Sequence, residues 1–386
     1  MTVMLVAAEA SGDDRGAGLA RALRARLGKG VRFVGVGGEQ MAAQGVESPF
    51  DIASISILGL FEGLLAYRRI VARVKETVAL AAREKPDVAV LIDSWGFTLR
   101  VAQSLRRLDP NLPLIKYVGP QVWATRPGRA KTLAATVDHL LSIHAFDAPW
   151  FEAEGLPVTF VGNSALSVDF SKARPARLRK QIGAGTSDPI LIVLPGSRPG
   201  EIVRMLPPFE DAVARIKASH PDLQVVIPAA PTVAEMVKAR VAGWPHRVHV
   251  IEGDESKLDA MKAATVAMAC SGTVTTELAL AGVPMVIGYR LGPVTGWIVQ
   301  RILLRTAWVT LFNIAARAFV APELIQRQCM GANLAREVAL RLDDKALRDA
   351  QARAQTAALD KMGRGGPDPS EAAAEAVLKI VAARRG

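Results

Sequence analysis

Cysteine and histidine are scarce in this chain of 386 residues, which has two cysteines and five histidines. Cys270 and Cys329 form no CxxC pair, and the histidines do not cluster. Neither a disulfide scaffold nor a structural zinc site is therefore indicated, and a reducing compartment fits this composition. An acidic DxD-type cluster is also lacking. We therefore expect no metal requirement and no other cofactor.

Acidic residues are in deficit, with 37 aspartates and glutamates against 48 lysines and arginines, and the formal net charge is +11. Such a charge favours an anionic partner: a phosphorylated substrate, an acidic membrane surface or nucleic acid. Aromatic residues make up only 5% of the chain and are not interleaved with a basic tract. Nucleic acid is therefore the weakest of the three partners. The N-terminal apolar run has no basic segment before it, so we expect a first strand rather than a secretion signal.

One prominent apolar run is too short to cross a membrane. The stretch Ile55–Tyr67 would span about 20 Å as a helix, whereas the hydrocarbon core of a bilayer is ~30 Å thick. Basic residues follow it, which suits a segment lying in a membrane interface; a helix buried in the first domain is an equal alternative. If the stretch lies in the interface, the residues expected to contact the membrane or the acceptor are Ile57, Leu58, Leu60, Phe61, Leu64, Leu65, Arg68 and Arg69.

Short apolar strands alternate with amphipathic helices along the whole chain, which predicts an α/β fold. The first half is predicted to contain strands at Val3–Ala8, Val31–Val36, Asp87–Ile92, Leu114–Val118, Val137–Ile143 and Thr159–Val161. The second half is predicted to contain strands at Pro189–Leu194, Gln224–Ile227, Val248–Ile251 and Thr265–Ala269, and a further one before Arg290. Two Rossmann-like, doubly wound domains account for this pattern and for the length.

The domain boundary is expected where the composition turns polar and basic, between Ser171 and Asp188. We predict a first domain over residues 1–168, a second over 169–330, and C-terminal helices over 331–386 that pack back on a first domain. Pro322–Gln326 is expected to begin this helical structure.

Two places in the first half carry polar residues at the end of a strand. Glu9–Asp13 is predicted to be a turn, followed by a helix over Arg15–Leu27. Asp93 directly follows an apolar strand typical of the centre of a parallel sheet. A carboxylate at that position can serve as a general base, or it can cap the next helix.

Two turns in the second half are suited to anions. The turn Gly196–Arg198 follows a strand and offers backbone donors and a guanidinium to an anion. The turn Ser271–Thr273 opens a helix, where free N–H groups and the helix dipole favour negative charge. Thr273 and Glu277 are four residues apart and share a helix face, so a hydroxylated sugar could lie beside an anion there. A Ser/Thr cap with a surface glutamate is the alternative. The donor-binding candidates are Gly196, Ser197, Arg198, Ser271, Gly272, Thr273 and Glu277.

Five motifs together resemble the lipid-A-disaccharide synthase family, nearly from end to end. They are AEASGD at Ala8–Asp13, PQVWATRPGR at Pro120–Arg129, LPGSR at Leu194–Arg198, SGTVTTE at Ser271–Glu277 and PMVIGYR at Pro284–Arg290. The family's DxPDF motif reads DSWGF here, which keeps Asp93 and places Gly96 where the family has its second aspartate.

The resemblance implies an inverting glycosyltransferase of the GT-B type, with two domains facing across a cleft. Its substrates would be UDP-2,3-diacylglucosamine and 2,3-diacylglucosamine 1-phosphate, joined to a β-1,6-linked disaccharide 1-phosphate with release of UDP. It further implies a cytoplasmic enzyme bound peripherally to the anionic inner membrane of a Gram-negative cell. A homodimer stays open, because the C-terminal helices could pack on their own chain or on a partner.

The resemblance also adds residues to the candidate site. Asp93 is our first choice for the general base, with Asp13 and Glu9 in reserve; Asn313 is expected near the donor and Trp123 near the acceptor. Two rival interpretations remain at this point. One is another enzyme of the same architecture, such as a UDP-N-acetylglucosamine 2-epimerase or a lipid-II-forming transferase. The other is a non-catalytic binder of phosphorylated lipid or nucleic acid.

Overall fold

The structure, a computed structural model, describes residues 1–56, 63–292 and 308–385. The chain divides into two compact units: Met1–Asn163 with Gly366–Gly386, and Ser164–Gly365. Each unit is built on a six-stranded sheet in which every strand pair is parallel. The prediction of two doubly wound α/β domains is therefore confirmed.

The sheet of the first unit has the order β2-β1-β3-β4-β5-β6. Its strands are β1 (Thr2–Val6), β2 (Arg32–Val36), β3 (Val88–Ile92), β4 (Leu114–Tyr117), β5 (His139–Ser142) and β6 (Val158–Phe160). The chain builds outward from β1 to β2 and then restarts on the other side with β3. The carboxyl ends of β1 and β3 thus form the switch point, where doubly wound sheets bind ligands.

Helices cover both faces of this sheet. They are α1 (Ala10–Leu27), α2 (Glu39–Ala42), α3 (Ala53–Ser56), α4 (Gly63–Glu84), α5 (Trp95–Leu108), α6 (Gly128–Ala134) and α7 (Ala148–Glu152). The predicted turn at Glu9–Asp13 is wrong, because α1 already begins at Ala10. Gly12 belongs to the first turn of α1, where a Cβ atom would lie 3.2 Å from the Cβ of Ala7. A glycine that resembles a turn residue in the sequence therefore permits close packing of helix against strand.

The second unit has the strand order β12-β11-β10-β7-β8-β9, with its switch point between β7 and β10. Its strands are β7 (Ile190–Leu194), β8 (Gln224–Pro228), β9 (His249–Ile251), β10 (Val266–Ala269), β11 (Met285–Tyr289) and β12 (Glu323–Ile325). The expectation that Pro322–Gln326 begins a helix is wrong. This segment supplies edge strand β12, which pairs in parallel with β11.

The helices of the second unit include two that the sequence assigned elsewhere. The helices that the structure describes in this unit are α8 (Pro175–Ile182), α9 (Pro199–Ser219), α10 (Ala234–Val241), α11 (Asp254–Ala263), α12 (Thr273–Ala281), α13 (Leu311–Ala316), α14 (Gly331–Asp343) and α15 (Lys345–Lys361). We expected residues 331–386 to pack on a first domain, but α14 packs on α9 and α15 on α12 and α13. Buried Gln351 donates to the carbonyl of Met285 at 2.8 Å, and Gln355 to that of Val283 at 2.9 Å. These bonds fix α15 to the second unit.

The last helix, α16 (Pro369–Arg385), belongs to the first unit and packs on α1. Its small residues Ala373, Ala374 and Val377 are fully buried in the same apolar cluster as Leu19 and Leu23 of α1. The chain thus leaves the first unit after Asn163 and returns to it at Gly366.

Candidate active site

A cavity of about 450 Å³ lies at the switch point of the second unit. The loops after β7 and β10 form its walls, together with residues that follow β8 and β9. The predicted donor-binding residues that line it are Gly196, Ser197, Arg198, Ser271, Gly272, Thr273 and Glu277. Two turns that are 75 residues apart in the sequence are thus joined, and Cys270 Sγ contacts the carbonyl of Pro195 at 2.9 Å between them.

The N-terminus of α12 opens on this cavity. Gly272 is its N-cap residue, and Ser271, Thr273 and Val274 also line the wall. The first N–H groups of a helix have no partner within the helix, and the dipole adds partial positive charge there. The hydroxyl of Thr275 donates to the carbonyl of Gly272 at 2.8 Å and so points back to its own turn. The N-terminus of α12 therefore presents backbone N–H donors to an anion in the cavity.

Glu277 lies one turn further along α12 and forms an ion pair with Lys257 of α11. The carboxylate Oε2 and the ammonium Nζ are 2.9 Å apart, and the two side chains are 16% and 29% exposed. Both residues line the cavity. The carboxylate retains acceptor sites for the hydroxyl groups of a sugar while Lys257 balances its charge. We did not predict Lys257 in the site, because a lysine on a helix is usually solvated.

The loop Gly196–Arg198 differs from expectation in one respect. Its amides were expected to be free for an oxyanion, but Glu201 Oε2 accepts from Ser197 N at 3.0 Å and from Arg198 N at 3.3 Å. Gly196 has φ +117°, and a Cβ there would lie 2.5 Å from Glu201 Oε2. The carboxylate of Glu201 thus occupies the backbone N–H groups that an external oxyanion would need. The guanidinium of Arg198, 81% exposed and 3.2 Å from Glu201 Oε1, remains available for an external anion.

Asn313 does not line the cavity, contrary to the expectation that it lies near the donor. Its side chain is completely buried and fully hydrogen-bonded within the protein. Nδ2 donates to the carbonyl of Ala321 and to Glu323 Oε1, both at 2.9 Å, while Oδ1 accepts from Val320 N and Ala321 N. Glu323 also accepts from Thr310 N and Oγ1. Asn313 thus has a structural role: it ties α13 to β12.

Asp93 lies at the switch point of the first unit, directly after β3. Its carboxylate Oδ1 accepts from Ser94 N at 3.0 Å, and Oδ2 contacts Ser11 Oγ at 3.2 Å and an Arg15 guanidinium nitrogen at 3.3 Å. The side chain is 33% exposed. Ser94, not Asp93, is the N-cap residue of α5, so the capping alternative is wrong. Asp93 is therefore oriented by its neighbours and still open to a ligand, as a general base must be.

Asp13 and Glu9 were held in reserve as bases, and the structure separates them. Asp13 is 5% exposed, and its carboxylate accepts from the backbone N–H groups of Gly38, Gln40 and Met41 at 2.8 to 3.0 Å. It caps α2 and is not available as a base. Glu9 is exposed at the start of α1. In the described part of the chain, no three His, Cys, Asp or Glu side chains are arranged to hold a metal ion.

Trp123, which we expected near the acceptor, is buried, with only 6% of its surface exposed. Its indole Nε1 donates to Asp147 Oδ1 at 2.8 Å, and Ser142 Oγ donates to Asp147 Oδ2 at 2.6 Å. Burial raises the pKa of Asp147 to about 6. Burial also lowers the pKa of neighbouring His144 to about 4, so the imidazole is neutral at pH 7. This network supports the loop after β4.

The predicted membrane segment lies partly outside the described residues. Ile57, Leu58, Leu60 and Phe61 belong to residues 57–62, and the side chains of Leu64 and Leu65 at the start of α4 are likewise not described. Arg68 and Arg69 are exposed on α4. Arg73, by contrast, pairs with Glu76 at 2.8 Å and lies over the ring of Phe50. Within residues 1–56, 63–292 and 308–385, no helix has both the length and the apolarity to span a bilayer.

Comparison with known proteins gives matches over nearly the whole chain. Residues 3–377 match the family model described as lipid-A-disaccharide synthetase. The lipid-A-disaccharide synthase of Paramagnetospirillum magneticum is 41% identical over 382 residues, covering 99% of this chain and 98% of that protein. That of Rhodospirillum centenum is 41% identical over 384 residues, covering 100% of this chain and 96% of that protein.

Solved structures share the architecture at much lower identity. The UDP-GlcNAc 2-epimerase from Neisseria meningitidis bound to UDP-GlcNAc has a TM-score of 0.60 at 12% identity, covering 99% of this chain and 100% of that chain. The glycotransferase of kitacinnamycin has a TM-score of 0.60 at 18% identity, covering 98% of both chains. Identities this low establish the common fold alone.

Proposed function

Because the chain belongs to the lipid-A-disaccharide synthase family and is therefore a glycosyltransferase, we propose how its residues carry out the reaction. The substrates are UDP-2,3-diacylglucosamine, the donor, and 2,3-diacylglucosamine 1-phosphate, the acceptor. The products are lipid A disaccharide 1-phosphate and UDP. The observation that carries the proposal is the cavity between the loops after β7 and β10. It combines the N-terminus of α12, the guanidinium of Arg198 and the carboxylate of Glu277.

The donor binds in this cavity with its diphosphate at the N-terminus of α12. The N–H groups at that end and the guanidinium of Arg198 stabilise the charge that develops as UDP leaves. A helix terminus alone contributes only about 0.3–1 kcal/mol at an exposed site, so the charge-assisted bonds to Arg198 supply the larger part. Glu277 accepts hydrogen bonds from the ribose hydroxyls, and its ion pair with Lys257 holds the carboxylate in place.

Asp93 acts as the general base on the acceptor. It takes the proton of the acceptor 6-hydroxyl as that oxygen attacks the anomeric carbon of the donor. The bond between this carbon and the diphosphate oxygen breaks in the same displacement, which inverts the configuration and leaves the electron pair on UDP. Ser11 and Arg15 orient the carboxylate for this step.

An assay of UDP release distinguishes this function from the two alternatives, a UDP-N-acetylglucosamine 2-epimerase and a non-catalytic binding protein. Purified protein with both acylated sugars should release UDP in equal amount to the disaccharide 1-phosphate, measured by a coupled UDP assay and mass spectrometry. Omitting the acylated acceptor is the matched control and should abolish release. Turnover of UDP-N-acetylglucosamine alone would instead support an epimerase, and acceptor binding without UDP release would support a non-catalytic protein.

The enzyme acts at the cytoplasmic surface of the inner membrane. Both substrates carry acyl chains, and each buried CH₂ is worth about 0.8 kcal/mol, so the chains stay in lipid or against apolar protein. The exposed guanidinium groups of Arg68 and Arg69 on α4, next to the apolar stretch Ile55–Tyr67, suit an anionic leaflet.

Neutralising these two arginines should weaken membrane binding. Since each basic residue near an anionic surface contributes about 1 kcal/mol, the Arg68→Gln/Arg69→Gln variant should bind vesicles containing phosphatidylglycerol about 30-fold more weakly. Sedimentation with vesicles at fixed salt measures this. The control is Lys172→Gln/Lys180→Gln, which removes the same charge from exposed positions of the second unit. Equal weakening by both variants would show a nonspecific effect of net charge and contradict the assignment to α4.

A further inference from the structure

Lys116 is a buried lysine in a strand that is otherwise apolar. It occupies the third position of β4, is 3% exposed, and points to the face of the sheet that α5 covers. Lysine is almost never buried unless it is paired, because its charge loses hydration. Its Nζ donates to the backbone carbonyl of Asp93 and, at 2.8 Å, to Thr98 Oγ1. The buried charge therefore ends on the turn that presents the proposed base.

Thr98 completes this contact from the first turns of α5. It is fully buried, and its hydroxyl lies 2.7 Å from the carbonyl oxygen of Asp93 and 3.0 Å from that of Ser94. A hydroxyl has one proton to donate and can accept from Lys116 at the same time. The carbonyl of Ser94 also accepts from Phe97 N and Thr98 N of α5, at 3.2 and 3.0 Å. The support from Lys116 and Thr98 therefore falls chiefly on the carbonyl of Asp93, to which both side chains donate.

The turn needs such support because its backbone is strained. Asp93 has φ +50° and Ser94 has φ +38°, and Val118 at the end of neighbouring β4 has φ +71°. Residues other than glycine rarely adopt these conformations, least of all a β-branched valine, and they persist only where the surroundings hold them. Strained non-glycine residues on two adjacent strand ends at one site indicate a conformation retained for the position of a side chain.

We propose that Lys116, acting with Thr98, is a positioning residue that holds the Asp93 turn in its left-handed conformation and so aims the carboxylate at the acceptor hydroxyl. The proposal rests on the function assigned above to Asp93. Lys116 touches no substrate; it acts through the peptide that carries the base. A carboxylate displaced by 1 Å can cost a factor on the order of 100 in rate, so this support is consequential.

The negative charge of Asp93 also favours the charged form of Lys116. Burial lowers the pKa of Lys116 to about 7, and the negative charges of Asp93 and Glu9 oppose that change. The ammonium form of Lys116 therefore depends on the carboxylate whose turn it holds. Removing either residue should change the contribution of the other, which additive structural effects would not do.

A double-mutant cycle on kcat tests the proposal. Lys116→Met, which replaces the ammonium group by an unbranched apolar side chain one heavy atom shorter, should lower kcat on the order of 100-fold with KM for both substrates nearly unchanged. Asp93→Asn/Lys116→Met should be no slower than Asp93→Asn, since misplacing an amide that cannot take a proton costs nothing further. Rates are measured as UDP release by protein whose folded fraction is known from circular dichroism.

Thr98→Val keeps the test decisive if Lys116→Met does not fold. It removes only the hydroxyl and should lower kcat by on the order of tenfold, again without effect in the Asp93→Asn background. Thr77→Val is the matched control, because Thr77 is equally buried on a helix of the same unit and donates to the carbonyl of Arg73 at 2.7 Å. It should keep wild-type kcat.

The outcomes distinguish the positioning role of Lys116 from the assignment of Asp93 as the base. Losses in kcat that add fully in the double variant, or wild-type kcat in a folded Lys116→Met protein, would overturn the positioning role and leave the base untouched. Wild-type kcat in Asp93→Asn would overturn the assignment of the base itself. A large loss in Thr77→Val would show that the rate follows packing of this unit in general, and would also overturn the positioning role.

Discussion

Asp93→Asn should lower kcat by a factor on the order of 100 to 10,000, the range expected for loss of a general base. The amide has nearly the same size and can still accept from Ser94 N through its oxygen, so the turn should persist. It cannot take the proton of the acceptor hydroxyl. Because the donor cavity belongs to other loops, the Kd for UDP should stay within a factor of about two. UDP release at saturating substrate and calorimetric titration with UDP measure the two quantities.

Two neighbouring carboxylates provide the controls for this prediction. Glu9→Gln removes the exposed carboxylate at the start of α1 and should leave kcat nearly unchanged. Asp13→Asn removes an acceptor of three backbone N–H bonds and should destabilise the protein by about 1–3 kcal/mol without lowering the kcat of the folded fraction. If Glu9→Gln had the large effect and Asp93→Asn did not, the base would be Glu9.

Arg198→Ala should lower kcat/KM on the order of 100- to 1,000-fold, because it removes charge-assisted hydrogen bonds to the departing diphosphate. The backbone N–H groups of Ser197 and Arg198 donate to Glu201 in any case, so the loop should keep its shape when the side chain is lost. The Kd for UDP should rise along with the loss in rate. Steady-state kinetics and calorimetric titration with UDP check both.

Arg215→Ala is the matched control for Arg198→Ala. Both arginines are more than half exposed and both pair with an acidic residue on α9, Arg215 with Asp211 and Arg198 with Glu201. Arg215 does not line the cavity, so its loss should leave UDP affinity and kcat unchanged. Wild-type UDP affinity in Arg198→Ala would show that the helix mouth alone holds the diphosphate.

Much of the fold and the donor cavity could be predicted because both follow from local patterns. Fully buried strands of a parallel sheet are continuous apolar runs, and their ends are marked by glycine, serine and charged residues. The loops after β3, β7 and β10 were identified on that basis, and the sheet order brings the latter two to one switch point. The resemblance to the family, stated from ordered motifs, is confirmed by the match over residues 3–377.

Several of the errors share one physical origin, which is pairing between segments that are apart in the sequence. The three residues of β12 have no periodicity of their own and become a strand only beside β11. Asn313 resembled a ligand-binding residue, but its partner Glu323 lies in that same unrecognised strand. Lys116 was hidden in a predicted strand, because nothing local tells a buried lysine from one at a strand edge. Its partners are 18 and 23 positions away.

The path of the chain has a consequence for how the protein is made. Ala373, Ala374 and Val377 of α16 complete the apolar cluster around Leu19 and Leu23 of α1, yet they are synthesised only after the whole of the second unit, Ser164–Gly365. While the ribosome is still at work, the N-terminal half holds an uncovered apolar surface of the kind that chaperones bind. The unit Ser164–Gly365 can therefore finish folding before the unit that begins at Met1, which stays incomplete until α16 has been synthesised.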